Sequence, residues 1–238
     1  MALAILQARM SSSRLPGKVL APISGRPLIL RALERIARSA RLTGVVLATS
    51  VDASDDPLVE AVEAAGYQVR RGSLQDVLGR FLAVADEFEP DVIVRLTGDN
   101  ALVDPAVIDA VVAAHDESGA DYTSNTLVRT FPRGLDVEAV RPAAIREVER
   151  LGADALEREH VTIGVYRRPD AFRLHSVTQV PDRSAMRWTV DYREDLEFAR
   201  TVYARLEPAN PHFGQQDVVE FLEQHPEYMR LESAVSGA

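Results

Sequence analysis

Alternation constrains this chain most. Short apolar runs recur through its first half, each followed by an amphipathic, helix-like stretch. "LAILQA" (3–8) is an apolar run consistent with a strand buried on both faces. "RPLILRALERIARSA" (26–40) places Ile29, Leu33, Ile36 and Ala40 on one helical stripe, with Gly25 and Pro27 punctuating its start. "GVVLATS" (44–50) is a second strand. In "DDPLVEAVEAAG" (55–66), Asp56 reads as an N-cap, Pro57 as the first helical residue and Gly66 as the stop. "YQVRRG" (67–72) is a third strand. "SLQDVLGRFLAVADEF" (73–88) opens like a capping box, with Ser73 and an acid, Asp76, three residues on. "DVIVRL" (91–96) is a fourth strand, and "DPAVIDAVVAAHDESG" (104–119) repeats the Asp-Pro helix entry, with Asp104 as cap. Strand–helix units in succession predict an α/β fold: a doubly wound, mostly parallel sheet with helices on both faces.

After Tyr122 the rhythm breaks. "YTSNTLVRTFPRGLDVEAV" is polar and turn-rich; two helix-like segments and a strand, "FRLHSVTQV" (172–180), follow. "RWTVDYREDLEFARTVYARL" (187–206) then reads as a strand running into a helix, and "QQDVVEFLEQH" (215–225) as a last helix. The expected organisation is one domain with a core of residues 1–122 and 185–225 and an inserted lobe at about 123–184. The tail "ESAVSGA" is expected to fray. There are no internal repeats and no low-complexity tract.

The formal net charge is −9, so the average field repels polyanions and argues against binding to nucleic acid or to an anionic membrane. With no cysteine, disulfides and thiolate metal sites are excluded, and a cytoplasmic protein is the default. The apolar run in "MALAILQARM" is too short for a signal-peptide core or a membrane span.

Against that acidic background, "LQARMSSSRLPGK" (6–18) gathers Arg9, Arg14 and Lys18 beside three consecutive serines. In an open parallel sheet, ligands bind at the carboxyl ends of strands, and this is the loop after the first strand. Fixed charge on Arg14 and Lys18, with small donors from Ser11 to Ser13 and Gly17, suits a polyphosphate. It is not a Walker loop, since Val19 follows the Gly17-Lys18 pair and no glycine stands five residues before Gly17; nor is there a G-x-G-x-x-G. From composition alone, a phosphate loop and a solvated surface loop are equal readings. Asp99, in "VRLTGDNALVDP", falls just past the fourth strand on the same rim; it suits a hard cation or a plain Gly-Asp-Asn turn. Asp191, in "RWTVDYRED", ends a predicted strand at that rim, or caps the next helix. Two carboxylates among cations suggest Mg²⁺ bridging phosphates.

"LQARMSSSRLPGKVL" followed by "ISGRPLILRALERI" resembles the opening of the cytidylyltransferases that activate acidic sugars with CTP, those of 3-deoxy-manno-octulosonate and acylneuraminate. "RGSLQDVLGRF", "RLTGD", "YTSNTLVRTFPRGLDVE", "REHVT" and "RWTVDYREDLEFAR" resemble a closer branch, the spore-coat polysaccharide biosynthesis protein F family, over nearly the whole chain. The resemblance implies a nucleotide-diphospho-sugar transferase type of fold. It also implies Arg9, Ser13, Arg14 and Lys18 on the triphosphate, with Arg14 and Lys18 stabilising the reaction. Asp99 and Asp191 would be Mg²⁺ ligands, and Ser73, Asp76 and Arg80 would lie where cytidine binds. For Ser73 and Asp76, a capped helix explains the residues equally well. CMP would pass from CTP to a hydroxyl of a sugar-like acceptor, with pyrophosphate released. The inserted lobe would form the acceptor pocket and a homodimer contact. A carboxylate on the acceptor calls for another cation: Arg133 first, then Arg129 and Arg187. His160 is an acceptor contact or a structural histidine, and Trp188 is expected to be packing.

The chain departs from that branch at "NALVDP" after its Gly-Asp, where Asn100 and Ala101 stand beside the metal ligand. It departs again at Tyr192 and Arg193 after the last aspartate. These departures motivate a second reading, a catalytically weak nucleotide-binding scaffold. A third, a glycosyltransferase using a finished nucleotide sugar, predicts an Asp-x-Asp motif on the rim, which the sequence lacks.

Overall fold

The computed structural model describes residues 1–232; of the tail expected to fray, 232–238, Glu232 is held, its N–H donating to the Ala185 carbonyl at 3.0 Å, and residues 233–238 lie outside the described residues. β1 (Ala2–Gln7) leads through a loop and a 3₁₀ turn (Lys18–Leu20) to a small hairpin, β2 (Pro22–Ile23) and β3 (Arg26–Pro27), and then to α1 (Leu28–Ile36). β4 (Leu42–Ser50), α2 (Asp56–Ala64), β5 (Gln68–Gly72), α3 (Val77–Phe88), β6 (Val92–Thr97) and α4 (Pro105–Ser118) complete the alternation. There follow β7 (Tyr122–Ser124), β8 (Glu138–Val140), α5 (Pro142–Arg150), α6 (Ala155–His160), α7 (Ile163–Tyr166), β9 (Leu174–Ser176), α8 (Arg193–Leu206) and α9 (Gln215–Gln224).

Among the described residues seven strands form one sheet in the order β5–β4–β1–β6–β8–β7–β9, in which only β8 pairs antiparallel to its neighbours. The expected doubly wound α/β architecture is present, and its cause is visible in β1. Ala2, Ala4 and Leu6 enter one core with residues of α1, α2, α4, α8 and α9; Leu3 and Ile5 enter the other with α3, α5 and α7. A strand apolar at every position is what a sheet covered on both faces requires. From β1 the chain winds outward through β4 to β5, then crosses back to β6 on the other flank of β1. The carboxyl ends of β1 and β6 therefore flank the topological switch point, where open α/β sheets bind ligands.

The stretch expected as an inserted lobe supplies β8, β9 and most of β7 to this same sheet. Several local expectations need correction. The strand expected over 172–180 is confined to Leu174–Ser176. α1 stops at Ile36, leaving Ala40 outside it. Asp56 is the first residue of α2 rather than its cap, and pairs with Arg71 at 2.7 Å. Asp76, not Ser73, caps α3, accepting the Gly79 N–H at 3.0 Å; Ser73 accepts the Gln75 N–H in the preceding turn. Asp104 caps α4 as expected. Residues 187–191 do not form a sheet strand: Trp188 and Thr189 donate to the Arg133 carbonyl and Val190 to that of Asp99. The segment lies over the strand ends, with Trp188 packed in the core, and so still carries Asp191 to the rim.

Candidate active site

A cleft of about 250 Å³ opens at the switch point. Its first wall is the loop after β1. There the Met10 carbonyl accepts the N–H groups of Ser12 (2.9 Å) and Gly17 (3.0 Å), closing the loop on itself. Gly17 has φ +72°, a left-handed conformation that glycine adopts without strain and that turns the chain into the 3₁₀ segment. That segment buries Lys18 beneath the cleft. At Gly98, just past β6, a side chain would lie 2.6 Å from Ala8 Cβ, so the two strand ends approach closely only because a glycine is there.

Lys18, Asp99 and Asp191 converge from three distant parts of the chain. The Lys18 ammonium donates to the Val190 carbonyl at 2.7 Å and to Asp191 Oδ1 at 3.0 Å, and stands 3.5 Å from Asp99 Oδ2. Arg14 donates to Asp191 Oδ1 at 2.7 Å, and Arg187 to Asp191 Oδ2 at 2.8 Å. Burial pushes the Asp191 carboxyl up, but the charge and hydrogen bond of Lys18, the bond from Arg187 and the charge of Arg14 outweigh it and hold it below its ordinary value. Asp195 sits behind, accepting the N–H groups of Asp191 and Tyr192 at 3.0 Å each and pairing with Arg187 and Arg230. Its role in holding Asp191 in place is not visible in "YREDLEFAR", where it is one acid among several. Burial also opposes the charge of Arg187, yet Glu232, Asp191 and Asp195 hold its pKa above the usual value.

The residues that depart from the family branch take structural places. Asn100 is buried and donates to Thr97 Oγ1 at 3.2 Å, and Thr97 donates to Asp99 Oδ1 at 2.6 Å, so Asn100 helps aim the carboxylate. Ala101 is in the core, its carbonyl accepting the Tyr203 hydroxyl at 2.8 Å. The Tyr192 ring lies 5.4 Å from the Arg14 guanidinium and 5.9 Å from that of Arg187.

Arg9 and Arg80 also line the cleft, and among the described residues neither has a carboxylate in hydrogen-bonding contact. Arg80 is buried, donates only weakly to the Ala48 carbonyl at 3.4 Å, and leaves Nε unpartnered. Burial and the charge of Arg9 lower its pKa. A buried guanidinium short of acceptors has room for those of a ligand. Ser12, Ser13 and Arg14 line the same cleft; Ser73 and Asp76 do not, and Asp76 is occupied by Arg158 at 2.9 Å.

The third wall brings Gln7, Glu159 and His160. Gln7 Oε1 accepts from Arg95 Nε at 3.0 Å, which turns the side-chain amide nitrogen away from Arg95; Arg95 in turn pairs with Glu138, held by Tyr122 at 2.7 Å and Thr162 at 2.5 Å. Gln7 went unnoticed in the sequence, hidden in an apolar run. The three arginines expected for an acceptor carboxylate do not line the cleft: Arg129 is bound by Asp136, Arg133 by Glu232, and Arg187 lies buried behind Asp191.

Asp99 and Asp191 are hard oxygen donors suited to Mg²⁺. Yet the Lys18 ammonium stands between them, and among the described residues no group of three or more His, Asp or Glu could hold a metal. The residues fit a metal that arrives with phosphate oxygens of its own rather than one held by the protein alone.

The chain is similar to known proteins over nearly its whole length. A family model described as cytidylyltransferase matches residues 3–224. The spore coat polysaccharide biosynthesis protein SpsF of Bacillus subtilis (strain 168) is 34% identical over 233 residues, covering 94% of each chain. A solved cytidylyltransferase from Leptospira borgpetersenii serovar Hardjo-bovis superposes with a TM-score of 0.90 at 30% identity, covering 96% of each chain. The fold is shared, at a TM-score of 0.63 and 21% identity over 86% of this chain and 98% of that one, with a CMP:2-keto-3-deoxy-manno-octonic acid synthetase complexed with CTP.

Proposed function

The chain belongs to the cytidylyltransferase family, and we propose that it transfers CMP from CTP to a hydroxyl of a sugar or sugar-acid-like acceptor, releasing pyrophosphate, in the building of a surface polysaccharide or glycoconjugate. One observation carries this reading: Lys18 and Arg14 meet Asp99 and Asp191 at the switch point, while in the same cleft Arg9 and Arg80 have, among the described residues, no hydrogen-bonded carboxylate.

The triphosphate lies along residues 9–18, where Arg9, Ser13, Arg14 and Lys18 offer charge and donors. Cytidine lies toward the start of α3, where Arg80 has unused hydrogen-bonding capacity. Gln7 and His160 face the acceptor. The acceptor oxygen attacks the α-phosphorus in line, the bond to the bridging oxygen breaks, pyrophosphate leaves with that electron pair, and the hydroxyl proton is released. Negative charge grows on the phosphoryl oxygens and on the leaving group. Lys18 is fixed in place before the reaction by the Val190 carbonyl, so it meets that charge without reorganising. One such contact contributes about 2.7–4 kcal/mol. Asp99 and Asp191 would hold a Mg²⁺ ion arriving with the phosphates, and the ion would supply neutralisation of phosphate charge. The segment 123–184 supplies the acceptor wall and a homodimer contact, and the enzyme works in the cytoplasm. Asn100, Ala101 and Tyr192 do not line the cleft, which weakens the scaffold alternative.

The test compares thermal shifts with CTP, UTP, GTP and ATP, with and without Mg²⁺, and then pyrophosphate release over a panel of acceptors. CTP with Mg²⁺ is expected to raise the melting point most, and Asp99→Asn to abolish the Mg²⁺-dependent part. A larger shift with a purine nucleotide, or tight CTP binding without release for any acceptor, counts against transfer from CTP.

A further inference from the structure

Behind the loop, outside the cleft, stands a buried carboxylate with no place in the chemistry above. Asp55 ends the 3₁₀ turn Ala53–Asp55 that follows β4, and it is fully buried. It precedes α2 but its side chain makes no capping bond there. It points inward instead. Oδ1 accepts the Met10 N–H at 2.7 Å; Oδ2 accepts the Ser50 N–H at 3.1 Å, the Ser50 hydroxyl at 2.5 Å and the Thr49 hydroxyl at 2.8 Å. Met10 is the residue whose carbonyl closes the loop onto Ser12 and Gly17. One peptide unit is thus pinned from outside by its N–H and gathers both ends of the loop by its C=O.

We propose that Asp55 is a positioning residue for the triphosphate loop: by fixing Met10 it sets the loop closure that presents Arg14 and Lys18 to the phosphates. The proposal rests on the reading of that loop as the triphosphate site. The residue type follows from the donors. Hydroxyls can turn and accept, but the N–H groups of Met10 and Ser50 cannot, and one faces each oxygen of Asp55. Only a carboxylate accepts on both sides; an amide would set N–H against N–H at one of them. Burial pushes the carboxyl up, and the bonds from Met10, Ser50 and Thr49 outweigh it, so the group is ionised at neutral pH. Its charge also favours the charged form of Arg80, which lines the cleft.

The experiment is binding of inorganic tripolyphosphate, CTP and cytidine to the wild-type protein, Asp55→Asn and Ser50→Ala, with no acceptor present. Asp55→Asn is expected to weaken tripolyphosphate and CTP about ten- to hundredfold while cytidine stays within about twofold. Ser50→Ala, which keeps the bond to Met10, is expected to hold all three within about twofold of wild type. Unchanged tripolyphosphate affinity in Asp55→Asn, or an equal loss for cytidine, overturns the proposal. Should Asp55→Asn fail to fold, amide exchange in the wild-type protein decides. The Met10 and Gly17 N–H groups are expected to exchange far more slowly than those of Ser11, Ser13 and Arg14, and equal rates overturn it. A wild-type protein that binds neither CTP nor tripolyphosphate removes the underlying reading instead.

Discussion

Asp55 and Asp191 are both buried aspartates that hold the loop after β1, and they are satisfied in opposite ways. Asp55 takes four neutral donors, two of them backbone N–H groups. Asp191 takes three cations, Arg14, Lys18 and Arg187. Both carboxyls are pushed up by burial and pulled below their ordinary value by their partners. The difference lies in what can displace those partners. An incoming polyanion offers Arg14 the same charge-assisted bonds that Asp191 does. Nothing in a nucleotide competes for the Ser50 N–H against a fully buried carboxylate. If the loop holds the triphosphate as proposed, Asp55 is a fixed post and Asp191 an exchangeable one, which gives up its bond from Arg14 while keeping those from Lys18 and Arg187. The Arg14 side chain is 51% exposed and that of Lys18 9%, so on this reading Arg14 is the partner an incoming phosphate reaches.

The largest expected effect falls on Lys18, the cation both parts of the site share. Lys18→Met keeps the length of the side chain and removes its charge. Pyrophosphate release at saturating CTP should fall about 10²–10³-fold. A fall below tenfold would mean that the buried ammonium is a strut for Val190 and Asp191 rather than a stabiliser of the transition state.

Of comparable size is an effect on stability. Asp191→Ala leaves Arg187, which is also buried, facing one carboxylate fewer, and Lys18 without its closest charge partner. Breaking such a buried arrangement costs about 3–5 kcal/mol, measured by urea unfolding. Arg14→Ala removes an exposed partner of the same carboxylate and should cost less than about 1 kcal/mol. Its CTP affinity should nonetheless drop about tenfold, for a lost charge-assisted bond to phosphate. If Arg14→Ala destabilises the free protein as much as Asp191→Ala, Arg14 is a structural partner and the exchange picture fails.

These contrasts were unequally legible in the sequence. The sheet, its helices on both faces and the rim position of the first loop follow from apolar runs and helical stripes, which are local signals. Lys18, Asp99 and Asp191 were readable because each falls at or beside the end of an element on one rim, although residues 187–191 reach it by lying over the loops rather than by joining the sheet. Asp55 was not readable: "DASDDP" offers several acids before a proline, any of which could cap a helix, and only packing decides that one turns inward. Gln7 was hidden for a related reason, as a polar residue closing an apolar strand. Arg129, Arg133 and Arg187 looked available because their partners, Asp136, Glu232 and Asp195, take meaning only from the fold.

The smallest effect separates the two aspartates by pH. Both have folded-state pKa values below the unfolded value of about 3.9. A depressed carboxyl contributes stability that is present above the unfolded pKa and is lost as pH falls through the folded one. The stability difference between wild type and Asp55→Asn, and that between wild type and Asp191→Asn, should therefore be flat from about pH 8 to 5 and shrink below about pH 4. Tripolyphosphate should part the two curves. By drawing Arg14 from Asp191 it relaxes that depression, so the Asp191 difference should be smaller above about pH 5 and its loss complete at a pH higher by a fraction of a unit, while the Asp55 difference stays where it was. Curves that move together would mean that the ligand tightens or loosens the whole loop, and that Asp55 and Asp191 are not a fixed and an exchangeable post.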